Sequence, residues 1–321
     1  MVAGMVRNSK WRFPAGALAL TAVLTVPMPA ALLLAQAAPQ WPVRIRDDMI
    51  RLGGIEWRLR IAARASCPRT APDIGVTIDD RRAYDRQDWP MLERTVGLRE
   101  NPVLIGVVKD GPADRAGLRA GDELLAIGSV SVDAIAKRRQ AGLLVAEALL
   151  EEVAASKPGV AIALTVRRAG SVRNVTVDPA LHCAARLVLV TDRGVDAHSD
   201  SHNVAISSGL IAMARSDDEI ALAAGHELAH ITLQHRKGGG ISERRRMEDA
   251  ADSLGLQLMH CAGYDAARGL GLFRRLGKGD WLGFLRAPTH RSFAKRVARL
   301  EDELPGLTCP VSTADGHGNQ R

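Results

Sequence analysis

Apolar residues recur along the chain at two different spacings, which divide it into segments. Helical spacing predicts a linking helix within residues 38–72 and a second helix over about residues 137–155. Apolar runs typical of strands occupy residues 103–108, 161–168 and 172–177. After residue 183 the pattern indicates one or two strands and then mainly helices. Strands and helices are therefore segregated along the chain, which indicates the α+β class.

The middle segment, residues 73–180, carries turn and helix signals in a characteristic order. Its phrase "GPADRAGLRAGDELLAIGSVSV" resembles a bacterial PDZ domain. This resemblance implies a small β-barrel or sandwich that accepts a peptide as an added strand. "DIGV", residues 73–76, would then cradle a peptide's C-terminal carboxylate, and the insert 79–102 would cover or reshape the groove. The alternative is a PDZ fold that serves only as a spacer.

The N-terminal residues have the layout of an export signal. Arg7, Lys10 and Arg12 precede the apolar run "FPAGALALTAVLTVPMPAALLLA", which is followed by Ala35-Gln36-Ala37. We predict a signal peptide over residues 1–37, cleaved after Ala37, and hence a periplasmic or otherwise extracytoplasmic protein. The alternative is an uncleaved anchor that holds the chain at the membrane facing the periplasm.

Four cysteines suit an exported protein, in which an even number indicates disulfides. They allow three pairings. We favour Cys67–Cys183, which would clip the two ends of the middle segment, and Cys261–Cys309, which would tie the C-terminal end to the last domain. If the chain is not exported, four reduced thiols are expected instead.

Two histidines four residues apart, His226 and His230, flank Glu227 in "AAGHELAHITLQH". In a helix the two imidazoles share one face. Two buried histidines without partners would be costly, and a metal ion removes that cost. The H-E-x-x-H pattern also occurs by chance, so further ligands are needed before it indicates a metal site.

Local signals set the ends of this helix. Ser216 and Glu219 have the spacing of a capping box, which starts a helix at about residue 217. Gly238-Gly239-Gly240 is expected to end it.

The next predicted helix, about residues 243–260, supplies acids at the same spacing. Glu248 and Asp252 are four residues apart and share one face. A catalytic zinc site uses three protein ligands and leaves one position for water. The two helices therefore offer a His₂Glu ligand set, with Asp252 left over to hold one of the ligands.

These motifs resemble the gluzincin metallopeptidases, and more narrowly the HtpX-type and CAAX-prenyl-protease-type enzymes, over about residues 187–304. Three segments carry the resemblance in the same order: "SGLIAMARSDDEIALAAGHELAHITLQH", "EDAADSLGLQLMHCAGYD" and "PTHRSFAKRVARL". It implies a mostly helical, zincin-like metallopeptidase domain with a small edge sheet over residues 184–310. One Zn²⁺ ion per chain and a flexible tail at 311–321 complete this prediction.

The resemblance also implies a role for each site residue. His226, His230 and Glu248 would bind the zinc ion, and Asp252 would accept a hydrogen bond from His226. Glu227 would be the general base that takes a proton from the attacking water.

Two residues further along, His290 and Arg296, would by the same resemblance reach the cleft and steady the oxyanion or gate the metal. For His290 the alternatives are a surface-loop histidine and a removable fourth ligand. "NVAIS", residues 203–207, is expected to be the edge strand with which a substrate pairs. The other six histidines, His235 among them, are expected to have no metal role.

The sequence thus predicts an exported zinc endopeptidase that acts on envelope or misfolded proteins, with a PDZ segment for substrate binding or regulation. The partners would be protein or peptide substrates and, in the PDZ groove, a C-terminal peptide. One alternative is a peptide-binding, chaperone-like factor with slow or latent proteolysis, and another is a purely structural zinc site. Without the three basic N-terminal residues the net charge is 7 − 3 = +4, which is too mild to indicate nucleic acid.

Overall fold

The computed structural model describes residues 40–236, 238–278 and 291–309. Its helices are α1 (Trp41–Ala62), α2 (Trp89–Val96), α3 (Pro112–Arg115), α4 (Val132–Arg138), α5 (Val145–Ala154), α6 (Ser208–Met213), α7 (Asp217–Thr232), α8 (Ile241–Cys261), α9 (Ala266–Gly269), α10 (Gly271–Lys278) and α11 (Phe293–Glu303). Its strands are β1 (Thr70–Asp73), β2 (Val76–Asp79), β3 (Val103–Val107), β4 (Glu123–Ile127), β5 (Val130–Ser131), β6 (Ile162–Arg168), β7 (Ser171–Val177), β8 (Ala180–Cys183), β9 (Arg186–Val190), β10 (Ala197–Ser199) and β11 (Asn203–Ser207).

The middle segment forms an antiparallel sheet in the order β2-β3-β4-β6-β7, with β5 paired to β4. Its inner face is apolar because every second residue of β6 is buried, namely Ile162, Leu164 and Val166. Helices α4 and α5 contribute to the same core. The predicted α+β class is confirmed. Within the described residues β2 and β7 do not pair with each other, so this sheet is open rather than a closed barrel.

The single helix expected over 137–155 is in fact two helices, α4 and α5. They are separated at residues 139–144, where Gly142 has φ 88°. A helix cannot continue through a residue in that region of backbone space. The apolar periodicity continues across the break because both helices face the same core.

The insert 79–102 packs away from the core of the middle segment. It forms two short 3₁₀ turns and α2, and it buries Leu92 and Leu98 against Val103 and Ile105 of β3. Trp41 and Met49 of α1 lie against the same cluster. The insert therefore covers β3 together with α1.

The C-terminal part is built on a three-stranded sheet in the order β10-β11-β9. β11 runs parallel to β9 and antiparallel to β10. Its core includes residues from α7, α8 and the sheet. The expectation that residues 203–207 form the edge strand is wrong, because β11 is paired on both sides. The edges are β9 and β10, and β10, which contacts α7 through Ser199, has a polar sequence that does not look like a strand.

Helix α1 does more than link two segments. Leu52, Ile55 and Leu59 are almost completely buried in the same core as α7. On another face Gly53 lies against Thr77 of β2 so closely that any Cβ would collide with the threonine hydroxyl. A glycine inside a helix costs about 1 kcal/mol relative to alanine, and here that cost allows the close approach.

Both favoured cysteine pairings are confirmed. Cys67 and Cys183 are bonded, with Cα atoms 5.5 Å apart, and Cys261 and Cys309 are bonded at 5.4 Å. The first bridge spans 116 residues of chain and joins the end of α1 to β8, next to β9 of the C-terminal sheet.

Among the described residues, no helix is both long and apolar enough to cross a membrane. The predicted signal peptide, the tail at 311–321 and His290 lie outside the described residues. The domain boundaries set from the sequence remain predictions.

Candidate metal centre

Helices α7 and α8 cross with their backbones almost in contact. A Cβ on Gly225 would lie 2.8 Å from the carbonyl oxygen of Gly255, and a Cβ on Gly255 would lie 2.6 Å from the amide nitrogen of His226. Side chains larger than hydrogen at these two positions would push the helices apart. The glycine pair therefore brings the histidines of α7 and the acids of α8 into one cluster.

Three donor atoms converge at this crossing. The Nε2 atoms of His226 and His230 are 3.2 Å apart, and Oε2 of Glu248 lies 3.4 Å and 3.5 Å from them. A tetrahedral zinc ion with bonds of about 2.0–2.1 Å would require its ligand atoms to be roughly 3.3 Å apart. The three donor atoms therefore fit a metal ion without rearrangement. They belong to the three residues that the sequence analysis expected to bind zinc.

His226 is held from behind by Asp252. Its Nδ1 lies 2.9 Å from Oδ1 of Asp252, which leaves Nε2 for the donor cluster. Burial disfavours the charged form of both groups. Hydrogen bonds and opposite charges outweigh this effect, from Asp252 and Glu248 on His226, and from His226 and Arg296 on Asp252. The pKa of Asp252 is therefore lowered, and that of His226 is raised to about 9 when no metal is bound. The expected contact between these two residues is present.

Arg296 lies behind Asp252 rather than in the cleft. Its guanidinium donates two hydrogen bonds to the Asp252 carboxylate, at 2.9 Å and 2.5 Å. The Cζ atom of the guanidinium lies 4.1 Å from the centre of the Phe273 ring. The residue is 7% exposed. This geometry does not support the expectation that Arg296 steadies an oxyanion, because its guanidinium is paired with a buried acid.

Glu227 has a partner that the sequence did not reveal. Its Oε2 accepts a hydrogen bond of 2.7 Å from the hydroxyl of Ser199 on the edge strand β10. Glu227 is half-buried and follows His226 directly in α7, so this contact joins the helix that carries the histidines to the edge strand. The strand order was the missing signal, because only the pairing of β10 with β11 brings Ser199 to α7.

His235 is the second residue that the sequence did not reveal. Its Nδ1 lies 2.9 Å from Nδ1 of His230. The expectation that His235 has no metal role assumed a helix continuing to Gly238, which would turn this residue away from His230. Helix α7 ends at Thr232 instead, and the chain turns back.

The start of α7 also differs in detail. The capping box between Ser216 and Glu219 does not form, since the Ser216 side chain caps no amide. Glu219 accepts instead from the amide of Arg215, at 2.7 Å, and pairs with Arg275 of α10. The charged arginine partner holds this buried carboxylate more strongly than a cap would, and it ties α10 to α7.

In the middle segment, the loop "DIGV" carries an internal carboxylate. Oδ1 of Asp73 accepts a hydrogen bond of 2.8 Å from the amide of Gly75, and its Oδ2 pairs with Arg60 of α1. The loop amide of Gly75 is thus already occupied. Arg60 also donates to the carbonyl oxygen of Cys183, at 2.7 Å.

Comparison with known families agrees with this arrangement. Residues 180–241 match the model of Peptidase family M48, and residues 104–143 match a PDZ domain model. This pair of matches is the one expected for an M48 metallopeptidase that also carries a PDZ domain. The peptidase match contains the strands β9 to β11 and the H-E-x-x-H helix, and the PDZ match contains β3 to α4.

The similarity to solved structures extends over only part of the chain. The HtrA-type protease AlgW with decapeptide is 28% identical over 35% of this chain and 30% of its own, with a TM-score of 0.27. The HtrA3 PDZ domain bound to a phage-derived ligand is 17% identical over 35% of this chain and 88% of its own, with a TM-score of 0.25. The chain thus spans less than a third of AlgW. No curated protein matches the chain significantly.

Proposed function

We propose that the chain is an exported, zinc-dependent endopeptidase that hydrolyses peptide bonds of envelope or misfolded proteins. The observation that carries the proposal is the triangle formed by the donor atoms of His226, His230 and Glu248, with sides of 3.2 to 3.5 Å. Glu227 lies between the two histidines in the sequence of α7. A structural zinc site needs a fourth protein ligand, whereas the cluster of possible ligands in the described part of the chain has three members.

Zinc suits the donors better than the harder divalent cations do. Two imidazole nitrogens and one carboxylate are typical of catalytic zinc, while magnesium and calcium prefer sites made of oxygen. A zinc ion held by these residues would lower the pKa of a bound water and polarise the scissile carbonyl.

The protein residues supply the remaining steps. The carboxylate of Glu227 takes a proton from the attacking water and later delivers it to the leaving amine. Ser199 donates to one oxygen of this carboxylate and so fixes its orientation. Asp252 keeps the proton of His226 on Nδ1.

The edge strand β10 is suited to hold the substrate. It pairs with β11 on one side, and Ser199 at its end contacts Glu227. An extended peptide added to the other side of β10 would run past the general base. The PDZ segment would bind peptides of the same clients, either to present them or to regulate cleavage.

Export is supported by the two disulfides, which are rare in reducing compartments. Together with the basic and apolar N-terminus they favour a periplasmic or other extracytoplasmic protein.

The test is cleavage of casein by the purified mature chain, together with its zinc content. We expect about one zinc per chain and cleavage that a chelator abolishes. Glu227→Gln should keep the zinc and lose activity by roughly 10²- to 10⁴-fold, the scale of general acid–base catalysis. Ser201→Ala, in the hairpin that follows β10, is a control that should leave both unchanged. Equal cleavage by the Glu227→Gln variant would contradict the mechanism. A zinc-loaded wild type that binds unfolded casein without cutting it would favour the chaperone-like alternative.

A further inference from the structure

The end of helix α7 is shaped to bring His235 back to the metal cluster. Leu233 is the last residue with helical backbone angles, and Gln234 follows with φ 52°. The amide of His235 then donates to the carbonyl oxygen of His230, at 3.0 Å. This is the geometry of a Schellman-type helix end, in which glycine usually occupies the left-handed position.

A residue other than glycine in this conformation costs about 1 kcal/mol or more. Such strain persists where the surroundings require the conformation, often at functional sites. The consequence here is the position of the His235 ring, whose centroid lies 5.0 Å from that of His230. A helix-end histidine that merely faced the helix dipole would not need this contact.

The hydrogen bond between the two rings has one arrangement compatible with metal binding. His230 must present the lone pair of Nε2 to the cluster, so its proton is on Nδ1. That Nδ1–H faces Nδ1 of His235 at 2.9 Å, which must therefore accept. The proton of His235 is then on its own Nε2. His235 thus does for His230 what Asp252 does for His226.

We propose that His235 is a positioning residue that fixes the tautomer and the ring orientation of His230 through this Nδ1–Nδ1 hydrogen bond. The inference rests on the proposed metal function and extends it. The two histidines of the motif would be supported differently, one by a buried carboxylate and one by a neutral imidazole. A neutral acceptor adds no negative charge to the site, so a cluster already holding Glu248 and Asp252 gains orientation without further anionic charge.

The test measures zinc affinity by competition with a chromogenic chelator, and the absorption spectrum of the cobalt-substituted protein. His235→Leu removes the acceptor and should weaken zinc binding roughly 10- to 100-fold, the usual effect of losing a residue that orients a ligand. It should also shift the cobalt bands. His235→Asn places an oxygen close to the former Nδ1 and should restore affinity to within about threefold of wild type. His260→Leu, an exposed histidine at the end of α8, is the matched control and should bind zinc as wild type does.

The outcomes separate this inference from the proposed function. Wild-type zinc affinity in the His235→Leu variant, or equal losses in the leucine and asparagine variants, would overturn the positioning role. Thermal unfolding of the metal-free forms shows whether any loss follows general destabilisation, which would likewise count against it. A wild type that binds no zinc would instead contradict the proposed metallopeptidase.

Discussion

Oδ1 of Asp252 lies 2.9 Å from Nδ1 of His226, on the side of the imidazole opposite the nitrogen that faces Glu248. The same carboxylate receives two hydrogen bonds from the buried Arg296. The metal ligand, the acid and the arginine therefore form one chain of charges running from the cluster into the core. An arginine that cannot reach the cleft can still affect the metal through this acid.

We therefore expect Asp252→Asn to act on both the metal and the fold. It removes the charge that orients His226, so zinc affinity should fall roughly 10- to 100-fold. It also leaves Arg296 buried without its full counter-charge, which should lower the free energy of unfolding by about 3 kcal/mol. Chelator competition and urea unfolding measure the two effects.

Asp249→Asn is the matched control for this prediction. Asp249 is on the same helix and pairs with Arg291 at the surface. Its loss should lower stability far less than the loss of Asp252 and leave zinc binding intact, because its partner Arg291 is exposed to solvent. If both variants behaved alike, the burial of the Asp252–Arg296 pair would not be what matters.

Ser199→Ala tests the contact that holds the general base. The hydroxyl donates to a carboxylate, and such hydrogen bonds contribute about 1.5–3 kcal/mol. If roughly half of this is expressed in the transition state, kcat should fall about 4- to 12-fold, with little change in KM or zinc content. Initial rates on a fluorogenic peptide measure this, with Ser201→Ala as the control. An unchanged kcat in the Ser199 variant would show that Glu227 is oriented without it.

The ligand triad could be predicted from the sequence because it depends on local periodicity. Residues three or four apart on a helix share a face, whatever the rest of the fold does. His226, His230, Glu248 and Asp252 all follow this rule, and the crossing of the two helices adds only the distance between the pairs. The two disulfides were also predictable, since they join segment ends.

The parts that could not be predicted depend on long-range pairing or on a single backbone angle. β10 is a polar tripeptide that becomes a strand because β11 pairs with it, so neither the edge nor the role of Ser199 appears in local patterns. The end of α7 depends on Gln234 adopting a conformation for which glycine is the usual signal. Arg296 was misplaced because spacing gives no information about which side of Asp252 the arginine occupies.

The carboxylate of Asp73 leads to a prediction about the ligand of the PDZ segment. The amide of Gly75 is one of the loop donors that would hold a peptide's terminal carboxylate, and Asp73 already accepts from it. A second carboxylate at this loop would meet like charge. We therefore expect peptides with free and amidated C-termini to bind the wild type with affinities within about threefold of each other.

Asp73→Ala should release the Gly75 amide, while Arg60 keeps its contacts with Glu56 and the carbonyl oxygen of Cys183. The free C-terminus should then be preferred over the amide by roughly tenfold, the scale of one charge-assisted hydrogen bond. Fluorescence anisotropy with a matched peptide pair measures this, and Asp133→Ala, an exposed acid on α4, is the control. A strong preference for the free C-terminus in the wild type would contradict the prediction.

The buried His182 should make the stability of the fold depend on pH, through a group that is not part of the metal site. It is 3% exposed, and its Nδ1 has no hydrogen-bond partner among the described residues. Burial lowers its pKa to about 4, and although Asp73 opposes this shift, Arg60 and Arg64 add to it.

Because the folded state resists protonation of His182, the unfolded state takes up the proton first, near its ordinary pKa of about 6.5. The stabilising effect is therefore complete above pH 6.5 and is lost as the pH falls toward 4. A lowering of the pKa by this amount corresponds to roughly 3 kcal/mol of folding stability.

His182→Phe removes the titration. It keeps an aromatic ring beside Trp57, whose ring centroid is 4.0 Å from that of the histidine. Urea unfolding of both proteins in chelator between pH 4 and 7 should give a shallower loss of stability for the variant, whereas His260→Phe should follow the wild type. Parallel curves for the His182 variant and wild type would show that this histidine is protonated in the folded state as easily as in the unfolded chain.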